Sequence, residues 1–404
     1  MIATRCAFAV PRYERGMKID LRRVAVATAG FCTFLHLYGP QALLPELARD
    51  FGVGAAEIAA MITASTLAIA LTAPFTGAAA DVLGRKQLIT AAMFAVALPV
   101  LIEAFATSTT TLVFWRFVEG LLLPPIFTVM LAYVGDEWPR REVAGVAGLY
   151  VSASSFGGFS GRMVPGIVGD LAGWREGFLA LAIIGFAGAV IVAWNLPKEK
   201  NFRKSEGFLA SGRQMLRHFG NLQLMATCAV GFGVLFNFIA IFTYVSFRLA
   251  APPYEFTPTM LGAIFLTYLV GTAVTPWTGR LVVRFGRRAV MIGVIPLWLA
   301  GLALLLASPL AVIVLGLCLC AGCGMLCQST STAYVTATAT TGRSSAIGLY
   351  VSSFYIGGSI GGLAAGALWN AAGWWAVVAL CMGVVAAMGA IIVFVWSAKP
   401  APTT

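Results

Sequence analysis

Two oppositely charged residues lie three positions apart inside an otherwise apolar stretch of the chain. Arg116 and Glu119 fall within residues 112–120, where every other residue is aliphatic, aromatic or glycine. On a helix this spacing places both side chains on one face. Inside a membrane such charges are costly and usually face a cavity or a partner. Either Glu119 exchanges protons under the influence of Arg116, or the two residues form a static ion pair.

Two further ionisable residues stand in apolar surroundings. Arg162 follows a glycine-rich run, and its guanidinium could bind an anionic group of a substrate or pair with Glu119. The alternative for Arg162 is a purely structural role. His36 could carry protons near neutral pH, although a single histidine can equally be held by ordinary hydrogen bonds. The proton-coupling candidates are therefore Glu119, Arg116, Arg162 and His36.

The composition predicts that membrane-spanning helices position these residues. Of 404 residues, 59% are hydrophobic and 11% are charged, whereas a soluble domain has about 25% charged residues. Apolar stretches of about 20 residues recur, each long enough to cross a hydrocarbon core of about 30 Å. Backbone groups in lipid must bond internally, so these stretches are helical. We predict twelve spans, at residues 23–45, 56–78, 87–106, 111–133, 144–169, 174–196, 222–248, 258–279, 288–306, 309–333, 344–368 and 373–396.

The sequence repeats itself at an offset of 200 residues. The letters GLYVS occupy residues 148–152 and 348–352, and glycines follow both copies at the same spacing. The charges do not repeat: Arg162 stands opposite Gly362, and at an offset of 202 residues Arg116 and Glu119 stand opposite Cys318 and Ala321. A repeat at this period indicates two related halves rather than a solenoid of short units.

The repeat and the spans together define the expected architecture. We predict an all-α membrane protein whose twelve transmembrane helices form two pseudo-symmetric six-helix bundles. The expected parts are an N-terminal arm (1–22), a first bundle (23–196), a linker (197–221), a second bundle (222–396) and a tail (397–404).

The net charge of +11 has a one-sided distribution. If both termini are cytoplasmic, 22 of the 27 lysine and arginine residues fall on the cytoplasmic side, six of them in the linker 197–221. This is the positive-inside pattern, here expected of a multi-pass protein of the cell inner membrane. The charge therefore reflects topology and attraction to the lipid bilayer, and nucleic-acid binding is not expected.

A short motif between the second and third predicted spans has a physical explanation. Gly77 would allow two helices to approach closely, and Gly84 would permit a tight turn. Asp81 offers a carboxylate either to a neighbouring helix N-terminus or to Arg85. Arg85 and Lys86 would hold the loop on the cytoplasmic side.

With a second copy of this motif at residues 279–288, the chain resembles the major facilitator superfamily. Its signature between spans two and three has this form, and a degenerate copy lies between spans eight and nine. The resemblance covers nearly the whole chain and implies the major facilitator fold. It also implies that Asp81 and Arg85, joined by Asp136, lock the two halves in the outward-open state. With Gly77, Gly84 and Lys86 of the motif, these are the gating candidates. One departure is Val82, where many members carry arginine.

Three spans resemble a subgroup of that family. Arg116 and the glycine four positions later resemble the fourth-span signature of drug:proton antiporters, in which the arginine is thought to tune a nearby protonatable site. Many members have glutamine in place of Glu119. Tyr38 and Gln41 belong to a pattern similar to the first span of bacterial drug and sugar exporters. The glycine-rich fifth span resembles the exporter motif but has Arg162 where exporters usually have proline.

In the fold that the resemblance implies, spans one, four, seven and ten line a central cavity. Pockets use few polar groups in an apolar lining, so the polar and aromatic residues of these and neighbouring spans are the substrate-binding candidates. They are Tyr38, Gln41, Arg162, Asn237, Tyr244, Tyr268, Gln328 and Tyr355. Glu46, Glu103 and Asp170 lie near the outer ends of the spans and are expected to be solvated.

The cysteines do not predict a cofactor. Cys320, Cys323 and Cys327 share one helix face, but without a nearby histidine we interpret them as packing residues. We expect neither a metal site nor any other cofactor. No set of nucleophile, base and orienting group indicates an enzyme, and no phosphate-binding loop indicates ATP hydrolysis.

These patterns predict a proton-coupled secondary transporter. It would export a small organic compound by alternating access of its two halves and function as a monomer. Within transport, the alternative is proton-coupled import of an organic anion held by Arg162. Outside transport, the alternative is a membrane receptor or a channel, although a channel requires polar rings that two unequal halves do not form.

Overall fold

The computed structural model describes residues 20–200, 217–339 and 343–396, and these residues are almost entirely helical. The predicted arm before residue 20, most of the basic linker and the tail from residue 397 lie outside the described residues. In chain order the helices are α1 (Leu21–Tyr38), α2 (Leu44–Phe51), α3 (Ala55–Thr72), α4 (Thr76–Leu83), α5 (Arg85–Glu103), α6 (Thr109–Leu122), α7 (Pro124–Glu137), α8 (Arg140–Ala172), α9 (Trp174–Asn195), α10 (Leu222–Ala250), α11 (Pro258–Ile264), α12 (Tyr268–Val274), α13 (Thr278–Phe285), α14 (Arg287–Leu304), α15 (Leu310–Thr338), α16 (Arg343–Ala372) and α17 (Trp374–Phe394).

The helices account for the predicted spans. Ten helical stretches of the described chain are long and apolar enough to cross a membrane. The first and fifth predicted spans are supplied by α1, which begins close to Arg22 and Arg23, and by α8, which contains Arg162. The prediction of an all-α membrane protein is therefore confirmed. For reference, the first half is α1–α9 and the second half is α10–α17.

Several spans are interrupted at prolines. Proline has no backbone N–H, and its ring clashes with the carbonyl four residues earlier in a helix. The chain changes from one helix to the next at Pro40, Pro74, Pro124 and Pro276, where short 3₁₀ turns or helix starts are found. By contrast, Pro165 lies within the continuous helix α8. The break at Pro40 matters most, because it ends α1 well inside the first predicted span.

The repeated glycines lie where helices cross. In the first half α1 packs against α8, and in the second half α10 packs against α16. A Cβ atom on Gly157 would overlap the backbone of Phe31, and a Cβ atom on Gly357 would overlap the backbone of Phe232. Small residues permit such close backbone contacts in membranes. The sequence repeat is therefore a repeat of helix contacts.

One added methyl group at this crossing is expected to destabilise the protein. Gly157→Ala places its Cβ against the backbone of Phe31, which cannot turn aside as a side chain can. We expect a loss of about 1–3 kcal/mol in the free energy of unfolding. Gly148→Ala in the same helix meets no described atom within 4 Å, and should be neutral or stabilising by up to about 1 kcal/mol. Thermal unfolding of both purified variants measures the difference, and equal melting temperatures would contradict the close contact.

Two glycines form the turns after spans two and eight. Gly84 has φ +85° and Gly286 has φ +80°, a backbone region that favours glycine, as the predicted tight turns require. The prediction that Gly77 allows two helices to approach closely is wrong in this conformation. A Cβ atom at Gly77 would meet no atom of the described residues within 4 Å. The end of the molecule with Gly84 and Gly286 is called the basic end. The opposite end, where Gly52 and Gly173 turn the chain, is called the far end.

Candidate functional site

Arg116 and Glu119 contact each other on α6, as their spacing predicts. The side chain of Arg116 is 1% exposed and that of Glu119 is fully buried. Arg116 Nη1 donates a hydrogen bond to Glu119 Oε2. The other carboxylate oxygen, Glu119 Oε1, has no hydrogen-bond partner among the described residues. The ion pair therefore engages one carboxylate oxygen of Glu119, and the other oxygen can accept a further hydrogen bond.

Arg116 also holds the end of α1. Its Nη1 donates to the His36 carbonyl at 3.2 Å, and its Nη2 donates to the Leu37 carbonyl at 2.8 Å. These carbonyls lie in the last turn of α1, and Pro40 has no N–H to offer the His36 carbonyl. A positive charge is also favourable at a helix C-terminus. Arg116 thus joins Glu119 to the point where the first span breaks.

A second carboxyl group reaches this pair from α5. Glu103 is the last residue of α5 and is fully buried. Its side chain lies within hydrogen-bonding reach of Glu119 and close to Arg116. The expectation that Glu103 is solvated is therefore wrong. Apolar residues continue past it to Ala106, and this continuation was the sequence signal for its burial.

Arg162 lies between the two halves in a cage of aromatic rings. Its guanidinium carbon is 4.1 Å from the ring centre of Tyr38, 4.2 Å from that of Phe265 and 4.9 Å from that of Tyr268. Tyr38 belongs to the first half, whereas Phe265 and Tyr268 belong to the second. Such contacts between a cation and ring faces are worth about 0.5–2 kcal/mol each. Both halves thus surround one charged side chain.

The hydrogen bonds of Arg162 leave part of its guanidinium unused. Nε donates to Gln41 Oε1 at 2.7 Å, and Nη1 donates to the Gly158 carbonyl at 2.7 Å. Nη2 is buried without a hydrogen-bond partner among the described residues. Gln41 in turn donates to the Thr243 hydroxyl of the second half at 3.4 Å. In the described part of the chain no carboxylate pairs with Arg162, so the considered pairing with Glu119 is not found.

His36 lies inside the first half rather than at the border between the halves. Its imidazole packs against Gly185 of α9, and it shares a small hollow with Cys32 and Met93. Nδ1 has no hydrogen-bond partner among the described residues. The imidazole is close enough to Arg116 for the charge to act on it, so His36 stays a proton-coupling candidate without contacting the Arg162 cage.

Three of the other predicted substrate-binding residues make separate contacts. The ring of Tyr355 lies 6.1 Å from that of Phe127, centre to centre, so it stands at the border of the halves. The Tyr244 hydroxyl donates to the Gly362 carbonyl at 3.3 Å, and the Asn237 amide donates within its own helix. These contacts hold the three side chains in the helix packing.

Four of the eight predicted substrate-binding residues meet at one place: Tyr38, Gln41, Arg162 and Tyr268. Gln328 is partly buried on α15. Phe265 and Thr243 complete the group and were not predicted. A phenylalanine or a threonine inside a span carries no signal that separates a cavity residue from a packing residue.

The two halves touch at the far end, beyond Arg162. Asp170 Oδ2 accepts hydrogen bonds from the Thr257 hydroxyl at 2.8 Å and from the Thr259 backbone N–H at 2.9 Å. The Gly166 carbonyl accepts from the Thr259 hydroxyl at 3.3 Å. Glu46 is partly buried, and Asp170 is exposed as expected. The additional finding is that Asp170 binds the start of α11, so the halves are joined at this end.

Removing this contact is expected to favour separation of the halves at the far end. Asp170→Ala deletes two hydrogen bonds to an exposed carboxylate, worth about 1 kcal/mol together at such a position. We expect the ratio of separated to joined conformers to rise about fivefold. Distances between spin labels on the loops 104–108 and 305–309 measure this ratio. Glu57→Gln is the control, because Glu57 bonds Thr109 of its own half; identical distance distributions in both variants would contradict the prediction.

At the basic end the predicted gating residues lie within the first half. Arg85 Nη1 is 2.5 Å from Asp136 Oδ2, which joins α5 to α7 as the family resemblance implies. Glu199 accepts the backbone N–H groups of Arg85 at 3.0 Å and of Lys86 at 3.2 Å. A carboxylate is favourable at this helix start, and Glu199 was not predicted. The side chain of Asp81 lies outside the described part of the structure.

Comparisons of the sequence with known proteins identify related transporters. Residues 26–252 and 232–404 match the model of the Major Facilitator Superfamily. The inner membrane transport protein YnfM of Escherichia coli is 30% identical over 354 residues, which cover 87% of this chain and 84% of that protein. The gentisate transporter of Corynebacterium glutamicum is 25% identical over 306 residues, which cover 71% of this chain and 67% of that protein.

Comparisons of the structure identify the same fold. The nucleoside transporter NupG superposes with a TM-score of 0.74 at 14% identity, covering 93% of this chain and 100% of that chain. The human organic anion transporter MFSD10 superposes with a TM-score of 0.70 at 18% identity, covering 92% of this chain and 99% of that chain. These likenesses establish the two-bundle fold predicted from the sequence.

Proposed function

The chain belongs to the major facilitator superfamily, and on that premise we propose that it is a proton-coupled secondary transporter of a small organic anion. Membership makes it a multi-pass membrane transporter of small molecules and not an enzyme. The anionic substrate rests on one observation above all. Arg162 is buried between the halves and has no carboxylate partner among the described residues.

The charge of Arg162 is the reason to propose an anion. A guanidinium stays protonated in proteins, and burying it without a counter-ion is costly. The rings of Tyr38 and Phe265 offset part of this cost. The unused N–H donors of Nη2 remain, and a substrate carboxylate placed there would supply the missing charge through charge-assisted hydrogen bonds.

The surroundings of Arg162 favour an aromatic carboxylate. Tyr38, Phe265 and Tyr268 offer ring faces, and Gln41 offers an amide beside the guanidinium. Pockets of this kind combine an apolar lining with a few polar groups that fix orientation. A gentisate transporter among the relatives agrees with this substrate class.

The position of Arg162 fits alternating access. Its cage is built from both halves, so a rocking motion would separate Tyr38 from Phe265 and open the site to one side. We propose that both termini are cytoplasmic, as the positive-inside pattern indicates. The far end is then the outer end, and the contact of Asp170 with Thr259 closes the site to the outside in this conformation.

We propose that Glu119 carries the coupling proton. Its protonation would weaken its bond to Arg116, which also holds the end of α1. The turn that follows contains Gln41, a direct partner of Arg162. Inverting a 1:99 balance between two conformations requires about 5.5 kcal/mol of differential affinity, and a proton gradient supplies part of it.

For direction, we propose export, since spans one and four resemble drug:proton antiporters. One observation favours import instead, because Arg162 stands where exporters usually have proline. In proton-coupled export, protons and the anion cross the membrane in opposite directions, whereas in proton-coupled import they cross together.

Flux into proteoliposomes tests the proposal. Purified protein is reconstituted, a pH gradient of either polarity is imposed, and uptake of labelled gentisate is compared with that of its uncharged methyl ester and of an aromatic amine cation. We expect protein-dependent accumulation of gentisate that follows the gradient, with protein-free vesicles correcting for leakage. Equal protein-dependent uptake of all three compounds, or gentisate flux that ignores the gradient, would contradict it.

A further inference from the structure

Glu103 and Glu119 form a buried pair of carboxyl groups. The proton coupling proposed above involves only Glu119. Neither residue has any exposed surface. Both oxygens of Glu103 and Oε1 of Glu119 have no hydrogen-bond partner among the described residues, and Glu119 Oε2 accepts from Arg116. The two carboxyl groups are nonetheless within hydrogen-bonding reach of each other.

A single proton explains this arrangement. Two ionised carboxylates repel each other and neither can donate, so a hydrogen bond between them requires that one is protonated. With both ionised, Glu103 and Glu119 would carry one negative charge more than Arg116 can balance. Unbalanced charge is costly inside a membrane. One shared proton removes the excess charge and allows one hydrogen bond between the two carboxyl groups.

We propose that Glu103 and Glu119 are one proton-binding site, in which the two carboxyl groups share a single proton and Arg116 balances the remaining charge. The inference rests on the proposed proton-coupled function and adds Glu103 to its proton site. Carboxyl groups that interact this closely take up and release protons as a pair rather than singly.

The described chain places few other charged groups near the pair. Arg116 comes from α6. His36 on α1 is close enough to Arg116 to interact with it electrostatically. The neighbouring helices α3, α7 and α9 carry their charged residues at their ends. Glu57, for example, is exposed at the start of α3. The candidates for holding the proton are therefore the two carboxyl groups, with His36 as the competing group.

Arg116 connects this proton site to the anion site. When the pair loses its proton, a second carboxylate competes for the guanidinium that also holds the last carbonyls of α1. The turn Gly39–Ala42 follows directly, and its Gln41 binds Arg162. The charge of the pair is thereby linked to Arg162 through the break in the first span.

Infrared difference spectroscopy of the purified full-length protein tests the pair without any substrate. The carbonyl stretch of a protonated carboxyl group is followed from mildly acidic to alkaline pH in wild type, Glu103→Gln, Glu119→Gln and the double variant. Glu57→Gln is the control, since it removes an exposed carboxyl group from the same half of the molecule. Size-exclusion profiles establish that each variant is folded.

We expect one buried carboxyl band in wild type and in Glu57→Gln, and complete loss of that band in each single variant. Loss is complete because one remaining carboxylate is balanced by Arg116 and needs no proton. The double variant should lose nothing more. A band that persists in Glu103→Gln with an unchanged pH midpoint would overturn the proposal, because Glu119 or another group would then hold the proton alone.

A further variant and a comparison with the flux measurement distinguish the remaining outcomes. If a glutamine variant does not fold, Glu103→Asp shortens the side chain and should shift the band, whereas an unshifted band overturns the pair. The spectra need no gradient and no anion. A lost flux with an intact band therefore contradicts the proposed transport, and an intact gradient-driven flux with no pair-dependent band contradicts the pair.

Discussion

Replacing Arg162 with glutamine is expected to lower the affinity for gentisate by about 100-fold or more. Glutamine keeps some of the hydrogen-bonding capacity but removes the charge that makes an anion favourable between the halves. Hydrogen bonds to charged groups contribute about 1.5–3 kcal/mol each, and 100-fold corresponds to about 2.7 kcal/mol. Isothermal titration of the purified protein measures the dissociation constant.

Two arginine variants provide the controls for this loss. Arg162→Lys keeps the charge but not the planar group that lies against the rings of Tyr38 and Phe265, so an intermediate affinity is expected. Arg175→Gln removes a half-exposed arginine at the far end and should leave the affinity unchanged. Wild-type affinity in Arg162→Gln would exclude this residue as the anion site.

The second large effect is expected from Glu119→Gln, which should separate transport from the proton gradient. The glutamine cannot release a proton, so the two conformations no longer respond to pH. Coupling between two sites is typically worth about 1–3 kcal/mol, or about 5- to 150-fold. We therefore expect gradient-driven accumulation of gentisate to fall about tenfold or more, while exchange of labelled for unlabelled gentisate continues.

The comparison of accumulation with exchange is what makes the test specific. A variant that is merely misfolded loses both, whereas an uncoupled carrier retains exchange. Glu176→Gln, at the start of α9 near the far end, removes a carboxylate away from Arg116 and should retain both activities. Full gradient-driven accumulation in Glu119→Gln would show that the coupling proton is held elsewhere.

Much of the fold could be predicted from the sequence, because the bilayer imposes length and composition on each span. The breaks within spans were harder to predict, although their cause was visible. Gly39 and Pro40 stand inside the predicted span 23–45, and α1 ends at Tyr38 just before them. The hydropathy pattern continues through the break, since proline and glycine hardly interrupt an apolar stretch.

The local part of the site followed from spacing alone. Arg116 and Glu119 are three residues apart, and a helix fixes their relation without reference to the rest of the molecule. Arg162 could be recognised as a site residue because charge inside a span requires an explanation. Its aromatic cage could not, since Phe265 comes from the other half and contacts of this kind depend on how the bundles dock.

The incorrect predictions concern residues whose neighbours come from distant parts of the sequence. Glu103 was placed near the surface because it lies at the end of a span, whereas the path of α5 brings it to Glu119. Gly77 was assigned a close helix contact that this conformation does not make. His36, by contrast, stays a proton-coupling candidate, because it lies near Arg116 while packing within the first half.

Simultaneous recording of anion and proton movement tests the proposed coupling most directly. Wild-type proteoliposomes with a pH indicator inside receive a gradient of labelled gentisate and no imposed pH gradient. We expect the internal pH to change in proportion to the gentisate moved, in the opposite sense for symport and antiport, and to stay constant in Glu119→Gln. Gentisate movement at the full rate with a constant internal pH in the wild type would contradict proton-coupled transport.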